Sequence, residues 1–401
     1  MDGDAFFVAC EVAKNPQLKG RAVITGEERG IVSALSYEAK ALGIVRGMPI
    51  FKLKKEFPNV LVLPGDYKTY SRLSKEMFDI VRRYTDIVEE YSIDECFADL
   101  TGYDKPFKMT YREIAEKIKK EVTEELGLSV SVGLAPTKVL AKVASKWQKP
   151  NGLTVIEKEK IEDFLKEIKV EKIWGIGPRT ALHLNIKGIK TALDFTEKSL
   201  DWIRENLSLP YEVIWHELHG TIVSKIDSDL KTEYSSMQKT RTFYPPTNNE
   251  NFLLSQLSKN TEEVCAKARH YMLVPKSISF FLKSQSFRYF DYSIKLPAPA
   301  NTPEILISLI DSNFKKIYER GVLYRSTGVT LSELVPSSAS QLNLFGETEF
   351  SGKLEKIHEQ IDSLEDKFGR GVVYLASTHE AIKDKRKGTD MDDEDRNLLF
   401  L

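Results

Sequence analysis

The order of apolar patterns between residues 69 and 135 leaves this chain few folds to choose from. Tyr70, Leu73, Met77, Ile80 and Tyr84 recur at steps of three or four, which predicts a helix from Thr69 to Tyr84 with one apolar face. VEEYSID (88–94) and CFADLTG (96–102) read as a strand, a tight turn and a second strand. Ile114, Ile118 and Val122 mark the next helix, and LSVSVGLA (128–135) is another strand. Residues 1–11 read as the end of a strand running into a helix. Strand, helix, hairpin, helix and strand is the split βαβ order of a ferredoxin-like sheet, here with an insertion near residues 12–66.

At 401 residues the chain is too long for one core and is expected to divide into three or four domains. Within the insertion, GRAVIT (20–25) and GIVSALS (30–36) read as short strands, followed by the helix YEAKALG closed by Gly43. Pro150-Asn151-Gly152 ends the first region, and a mostly helical stretch containing GIGPRTA runs to about Gly220. A polar connector, SKIDSDLKTEYSS, precedes an αβ unit from about Gln238 to Leu334, with helices near Phe252–Tyr271 and Pro303–Tyr318. Beyond Pro336 come SSASQLNLFGE, a helix around Leu354–Leu364, a short strand at VVYLAS and a charged tail that reads as disordered. There is no internal repeat.

No run of about 18 apolar residues exists to cross a bilayer, and the opening MDGDAFF lacks the basic start and apolar stretch of a secretory signal, so a cytoplasmic protein with no membrane partner is expected. Cys10, Cys96 and Cys265 form no CxxC pair, and the six histidines show no HExxH or comparable spacing. Any metal chemistry must therefore rest on carboxylates. The formal charge of −1 gives no global sign of a phosphate-binding protein. The charges are uneven, however: Lys138, Lys142, Lys146 and Lys149 crowd together, while Asp390, Asp392, Asp393, Glu394 and Asp395 load the tail. A balanced total can hide a basic face.

Asp2 and Asp4 sit just after the first strand, and SIDE (Ser92–Glu95) occupies the hairpin tip in the same sheet. Neighbouring strands can bring these carboxylates together, where they repel unless divalent cations neutralise them; oxygen-only ligands suit Mg2+. Taken alone, SIDE reads first as an acidic turn and only second as a metal-binding tip.

Read in order, DGDAFFVACE, GIVSALSYEAKALGIVRGMP, YSIDECFADLTG and SVGLAPTKVLAKVASKWQKPNG closely resemble the Y-family, lesion-tolerant DNA polymerases, and the resemblance extends from residue 2 to about 345. It implies an α+β multidomain right hand: a ferredoxin-like palm (1–11 and 67–155), small fingers (12–66), a helical helix-hairpin-helix thumb (156–222), a linker (223–237), an αβ little finger (238–335), and a clamp-binding peptide with a UmuC-like tail (336–401). The implied activity is template-directed addition of deoxynucleoside triphosphates to a primer 3′ end, with two Mg2+ ions activating the hydroxyl and stabilising the leaving pyrophosphate, in translesion synthesis during DNA repair. Asp2, Asp94 and Glu95 would be the metal-binding carboxylates, completed by the Gly3 carbonyl, with Asp4 behind them. Phe7 matches the aromatic gate that presses on a ribose 2′-hydroxyl, with Phe6 beside it; Tyr37, Lys40 and Lys149 match the grip on the triphosphate.

Two positions depart from the family pattern. Lys40 stands where arginine is more frequent, keeping the charge but losing the bidentate fork, and Ala34 stands where a hydroxyl residue is common. The thumb's Gly175 and Gly177 would let backbone amides approach a DNA phosphate. Lys239, Arg241, Lys283 and Arg288, among β-prone aromatics, would contact primer-template DNA from the little finger. Gln341, Leu342, Leu344 and Phe345 match the bacterial sliding-clamp peptide, and KFGRGVVYLAS resembles the UmuC type, whose resemblance raises UmuD-like or recombinase partners without deciding them. Only Met1 precedes Asp2, where the family usually has several apolar strand residues. The expectation is a start lying upstream; the alternative is a catalytically weakened DNA- and clamp-binding homologue, its first carboxylate held by a frayed end. A nucleotidyl cyclase on the same sheet would leave GIGP and QLNLF unexplained.

Overall fold

The computed structural model describes residues 1–229, 234–339, 348–369 and 371–383, in two compact units of which the first ends at Asp229. In the first unit the chain runs β1 (Asp2–Gly3), α1 (Phe6–Lys14), β2 (Val23–Thr25), β3 (Ala34–Leu35), α2 (Tyr37–Ala41), α3 (Ile50–Glu56), β4 (Leu61–Leu63) and α4 (Tyr67–Arg82). It continues through β5 (Val88–Ser92), β6 (Glu95–Ala98), α5 (Asp104–Phe107), α6 (Tyr111–Leu126), β7 (Val130–Leu134), α7 (Lys138–Trp147) and β8 (Leu153–Val155). Five short helices follow: α8 (Ile161–Glu167), α9 (Pro178–Ile186), α10 (Ala192–Thr196), α11 (Leu200–Asn206) and α12 (Leu209–Leu218).

The first sheet has the order β5-β6-β1-β7-β8. Its first four strands reproduce the ferredoxin-like arrangement expected from the element order, with β8 added parallel to β7 at the edge. Helices α4 and α6 cover it with the faces that their spacing predicted: Tyr70, Leu73, Met77 and Ile80 meet Ile114, Ile118 and Val122 in one core. Each helix has its start written locally. Asp66 accepts from the Thr69 amide (3.1 Å), and Thr110 and Glu113 form a capping box. The insertion builds its own small sheet, β3-β2-β4, over a core that includes Ile24, Val32, Ile44 and Leu53. The five helices α8–α12 share a further core with Val139, Leu140 and Val143 of α7, so α7 is common to the sheet and the helical module.

The second unit contains β9 (Ser236–Thr247), α13 (Glu250–His270), β10 (Leu273–Ser284), β11 (Tyr289–Lys295), α14 (Pro303–Asn313), β12 (Tyr324–Pro336), α15 (Thr348–Phe368) and α16 (His379–Lys383). Its antiparallel sheet has the order β11-β10-β12-β9. Ile278, Phe280, Leu282, Val329 and Leu331 face α13 and α14 and close the core with Leu253, Leu257, Leu306 and Ile310. The opposite face is polar: the cross-strand rows Ser279, Thr330, Gln238 and Lys283, Ser326, Thr242 lie on it.

Residues 372–377 form no strand, contrary to the reading of VVYLAS. The Leu375 amide and Thr378 hydroxyl instead donate to Glu262 on α13, both at 2.6 Å, so the segment satisfies its backbone against a helix rather than a neighbouring strand. Arg269 grips Asp362 through Nε (2.6 Å) and Nη2 (2.7 Å), holding α15 to the same helix. No helix among the described residues is long and apolar enough to cross a membrane.

Candidate active site

Strand β1 is two residues long yet central. Asp2 pairs with Glu95 on β6 and with Ser131 on β7, and the Gly3 amide donates to the Asp94 carbonyl at 2.8 Å. Met1 adds an ammonium bond to the Cys96 carbonyl (2.9 Å) and accepts from the Cys96 amide (3.2 Å). A carboxylate at a chain terminus is where fraying is expected; here ladder bonds hold it from both sides, and Asp2 is 5% exposed. Asp2, Asp94 and Glu95 thus come from adjoining residues of one ladder step, although 92 positions separate Asp2 from Asp94 in sequence.

Their side chains are each held by something other than one another. Lys142 Nζ bonds Asp2 Oδ2 and lies 2.6 Å from Glu95 Oε1. Lys149 Nζ bonds Asp2 Oδ1 and the Gly3 carbonyl (3.1 Å), and lies 3.4 Å from Asp4 Oδ1. The Ser92 hydroxyl donates to Asp94 Oδ1 at 2.7 Å. Consequently no three acidic, histidine or cysteine side chains among the described residues already converge as a metal cage. The donor set nevertheless suits a hard divalent ion, since three carboxylates and a peptide carbonyl supply only oxygen. Burial raises the Asp2 pKa, but bonds to Lys142 and Lys149 outweigh it and hold the carboxyl below its ordinary 3.8.

Asp4 accepts from Ser129 Oγ (2.8 Å), Ser131 Oγ (2.8 Å) and the Asn151 amide (2.7 Å). It ties β1 to β7 and to the loop bearing Lys149, which places it behind the other carboxylates. Tyr37, half-buried at the start of α2, has its pKa pushed up to about 12 by burial and then by the charges of Asp4 and Asp2. Lys40 is exposed one turn later, 5.8 Å from the Tyr37 ring centre. Phe7 stacks on Tyr70 (4.6 Å) and meets Tyr67 edge-on (5.7 Å). Phe6 requires a correction: it is 4% exposed inside the sheet's core, so its ring is not presented to a nucleotide.

Three residues that sequence reasoning passed over make this geometry possible. Lys142 was read only as part of a basic cluster. Gly133 on β7 lets α7 approach, because a Cβ there would lie 2.1 Å from the Ala141 carbonyl and 2.4 Å from the Ser145 amide. Glu217 on α12 is fully buried and accepts from the Val139 amide at the start of α7 (3.0 Å) and from the Ser224 amide (2.7 Å). The i, i+4 spacing of Lys138, Lys142 and Lys146 was the available signal for a basic face on α7.

Gly175 has φ +94, and Gly177 caps the exposed start of α9 ahead of Pro178, with open space where a Cβ would stand. Trp174 next to them packs on Tyr91 (5.2 Å) and Phe97 (5.5 Å), joining the helical module to the strands that flank Asp94 and Glu95. In the second unit, Lys283 lies on the open sheet face, donating to Tyr289 Oη (2.9 Å) and lying 4.5 Å from its ring centre. Lys239 and Arg241 are corrected: they fall in the same two-residue phase as Met237 and Phe243, both in the core, so they belong to the helix-covered side, where Lys239 lies 3.7 Å from Glu263. Arg288, in the turn before β11, lies 4.7 Å from the ring of Phe290, which packs against the core. Gln341, Leu342, Leu344 and Phe345, and the acidic tail at 390–395, lie outside the described residues.

A ferredoxin-like sheet with carboxylates on its central strand and the adjoining hairpin is a scaffold on which nucleotidyl transfer can be built. Residues 1–146 match the impB/mucB/samB family and residues 234–344 match that family's C-terminal domain. The chain is 30% identical over 382 residues to the DNA polymerase IV of Desulfatibacillum aliphaticivorans, covering 94% of this chain and 95% of that protein. It is 31% identical to the protein UmuC of Salmonella typhimurium, with 94% and 92% covered. Among solved structures, a Y-family DNA polymerase chimera, Dbh-Dpo4(243-245)-Dbh, superposes with a TM-score of 0.71 at 26% identity, over 84% of this chain and 98% of that one. DinB from Sulfolobus solfataricus matches over the same shares with a TM-score of 0.52 at 26% identity. The chain belongs to the impB/mucB/samB family of Y-family DNA polymerases. It is a DNA-directed DNA polymerase of the translesion class, with palm, fingers, thumb and little-finger architecture.

Proposed function

We propose that Asp2, Asp94 and Glu95, with the Gly3 carbonyl, hold two Mg2+ ions at the point where primer and incoming nucleotide meet. The observation that carries this is the ladder step itself: Asp2 opposite Glu95, with Gly3 bonded to Asp94. Bound there, the ions supply a lowered pKa for the primer 3′-hydroxyl and charge neutralisation for the departing pyrophosphate. The protein's own part is placement. Lys149 is tethered beside Asp2 and Gly3, within reach of a phosphate lying over them; Tyr37 keeps its proton and so remains a hydrogen-bond donor; Lys40 adds an exposed positive charge. Phe7, fixed by Tyr70 and Tyr67, is the gate against ribose.

Palm (1–11, 67–155), fingers (12–66), thumb (156–222), linker (223–237) and little finger (238–335) are the domain limits we adopt, supported by the separate cores of the sheet, insertion, helical module and second unit. The open glycine-rich start of α9 and the polar sheet face bearing Lys283 are the DNA-facing surfaces. QLNLF is the segment we assign to a bacterial sliding clamp, on its sequence alone. Primer extension with and without Mg2+ tests the carboxylates: Asp94→Ala should lose at least roughly a thousandfold in rate while still binding primer-template DNA, given what misplaced charge stabilisation costs. Equal extension by the variant and the parent would sink the assignment.

A further inference from the structure

Lys142 has no part in the reaction as proposed, yet the site is built around it. Lys142 is 4% exposed, and its ammonium reaches from α7 to β1 and β6 and pairs with oxygens of two residues that face each other across those strands, Asp2 and Glu95. A buried ammonium is costly unless paired, and two unneutralised carboxylates on facing positions would force each other apart. Lys142 resolves both. Together with Lys149 it brings two positive charges to the two negative charges of Asp2 and Glu95.

Mg2+ takes oxygen ligands at about 2.0–2.1 Å. Asp2 and Glu95, two of the carboxylates that would hold such an ion, each already give an oxygen to Lys142 Nζ. Ammonium and ion cannot share that space, and even nearby they repel. The flexible four-carbon stem of lysine allows withdrawal without moving the backbone.

We infer that Lys142 is a tethered counter-ion that stands in for the divalent cation in the metal-free enzyme, keeps Asp2 and Glu95 assembled, and is exchanged out as the cation enters. The inference rests on the reading of Asp2 and Glu95 as metal ligands. Lys142 is therefore a positioning residue that holds Asp2 and Glu95 together and weakens cation binding by competing for them.

The test uses the full chain without DNA: Mn2+ titration followed by the electron paramagnetic resonance signal of the free ion, and the unfolding midpoint with chelator and with saturating Mn2+. Lys142→Met should bind Mn2+ roughly tenfold or more tightly. It should also unfold about 4 °C or more lower in chelator, a deficit that shrinks in Mn2+. Lys142→Arg should keep the metal-free midpoint and bind Mn2+ no more tightly, while Lys146→Met, one turn on and not among the lysines paired with Asp2 or Glu95, should raise Mn2+ affinity by less than Lys142→Met does. If Lys142→Met does not fold, Lys142→Gln, neutral but still able to donate, gives the same affinity readout. Unchanged or weaker Mn2+ binding on loss of the charge overturns the inference. Glu95→Gln separates the two levels: if it removes Mn2+ binding while loss of the lysine charge changes nothing, this inference fails alone. If the parent shows no Mn2+ site sensitive to Glu95→Gln, the metal-ligand reading fails as well.

Discussion

Asp2 carries its charge inside the protein because two lysines make the ionised form cheaper than the neutral one. Its folded pKa lies below 3.8, so the stabilisation from ionised Asp2 is fully present above that pH and is lost as pH falls through the folded value. Acid unfolding of the parent should therefore steepen below pH 3.8 relative to Asp2→Asn; superimposable acid limbs would contradict the pairing. At Phe7 the prediction concerns selectivity. Phe7→Ala should raise ribonucleotide incorporation relative to deoxynucleotide by roughly tenfold or more, measured as the ratio of kcat/KM values, about 1.4 kcal/mol of discrimination. No change in that ratio would move the gate elsewhere. Asp2, Asp94, Glu95, Tyr37 and Lys149 could be picked out from motifs because each sits in a local string that carries its own context. Lys142 could not, because its meaning is a bond spanning 140 positions.

Elements decide which face a residue serves, and here sequence reading succeeded and failed for one reason. The helices α4 and α6 were legible because a step of three or four residues names the buried face directly. On β9 the two-residue alternation was equally present, but the basic residues drew attention away from Met237 and Phe243 on the same side. The sheet makes a comparative prediction. Lys283→Ala should weaken binding to primer-template DNA across sequences and reduce the salt slope by about one, whereas Lys239→Ala should leave the slope unchanged. The reverse result would put DNA on the helix-covered side. On β7, Gly133→Ala should push α7, with Lys142, away from the sheet, since the added methyl would meet backbone atoms within 2.4 Å. Overpacking of that kind costs about 1–3 kcal/mol, to be read as a lowered urea midpoint with an unchanged m-value. A midpoint equal to the parent's would show that the helix approach is looser than the structure indicates.

For the whole molecule, a net charge of −1 is compatible with a polymerase because a balanced total still allows basic groups to be gathered locally. Lysines gather on α7 and the following loop beside the carboxylates, and the open face of the second unit's sheet carries hydroxyl residues together with Lys283, Asp291 and Lys295. The domain series was readable in outline because each module has its own apolar core. The C-terminal segment was read less well, because residues 372–377 take their shape from Glu262, more than a hundred positions earlier. One ladder step, Asp2 opposite Glu95 beside Asp94, is the proposed metal-binding heart of the enzyme. It is tested most directly by locating Mn2+ through anomalous scattering in crystals of the protein with primer-template DNA and a non-hydrolysable deoxynucleotide. The account predicts two Mn2+ peaks ligated by Asp2, Asp94, Glu95 and the Gly3 carbonyl, with Lys142 withdrawn from Glu95. Peaks that omit Asp2 or Glu95, or a complex that forms with no Mn2+ at this step, would contradict it.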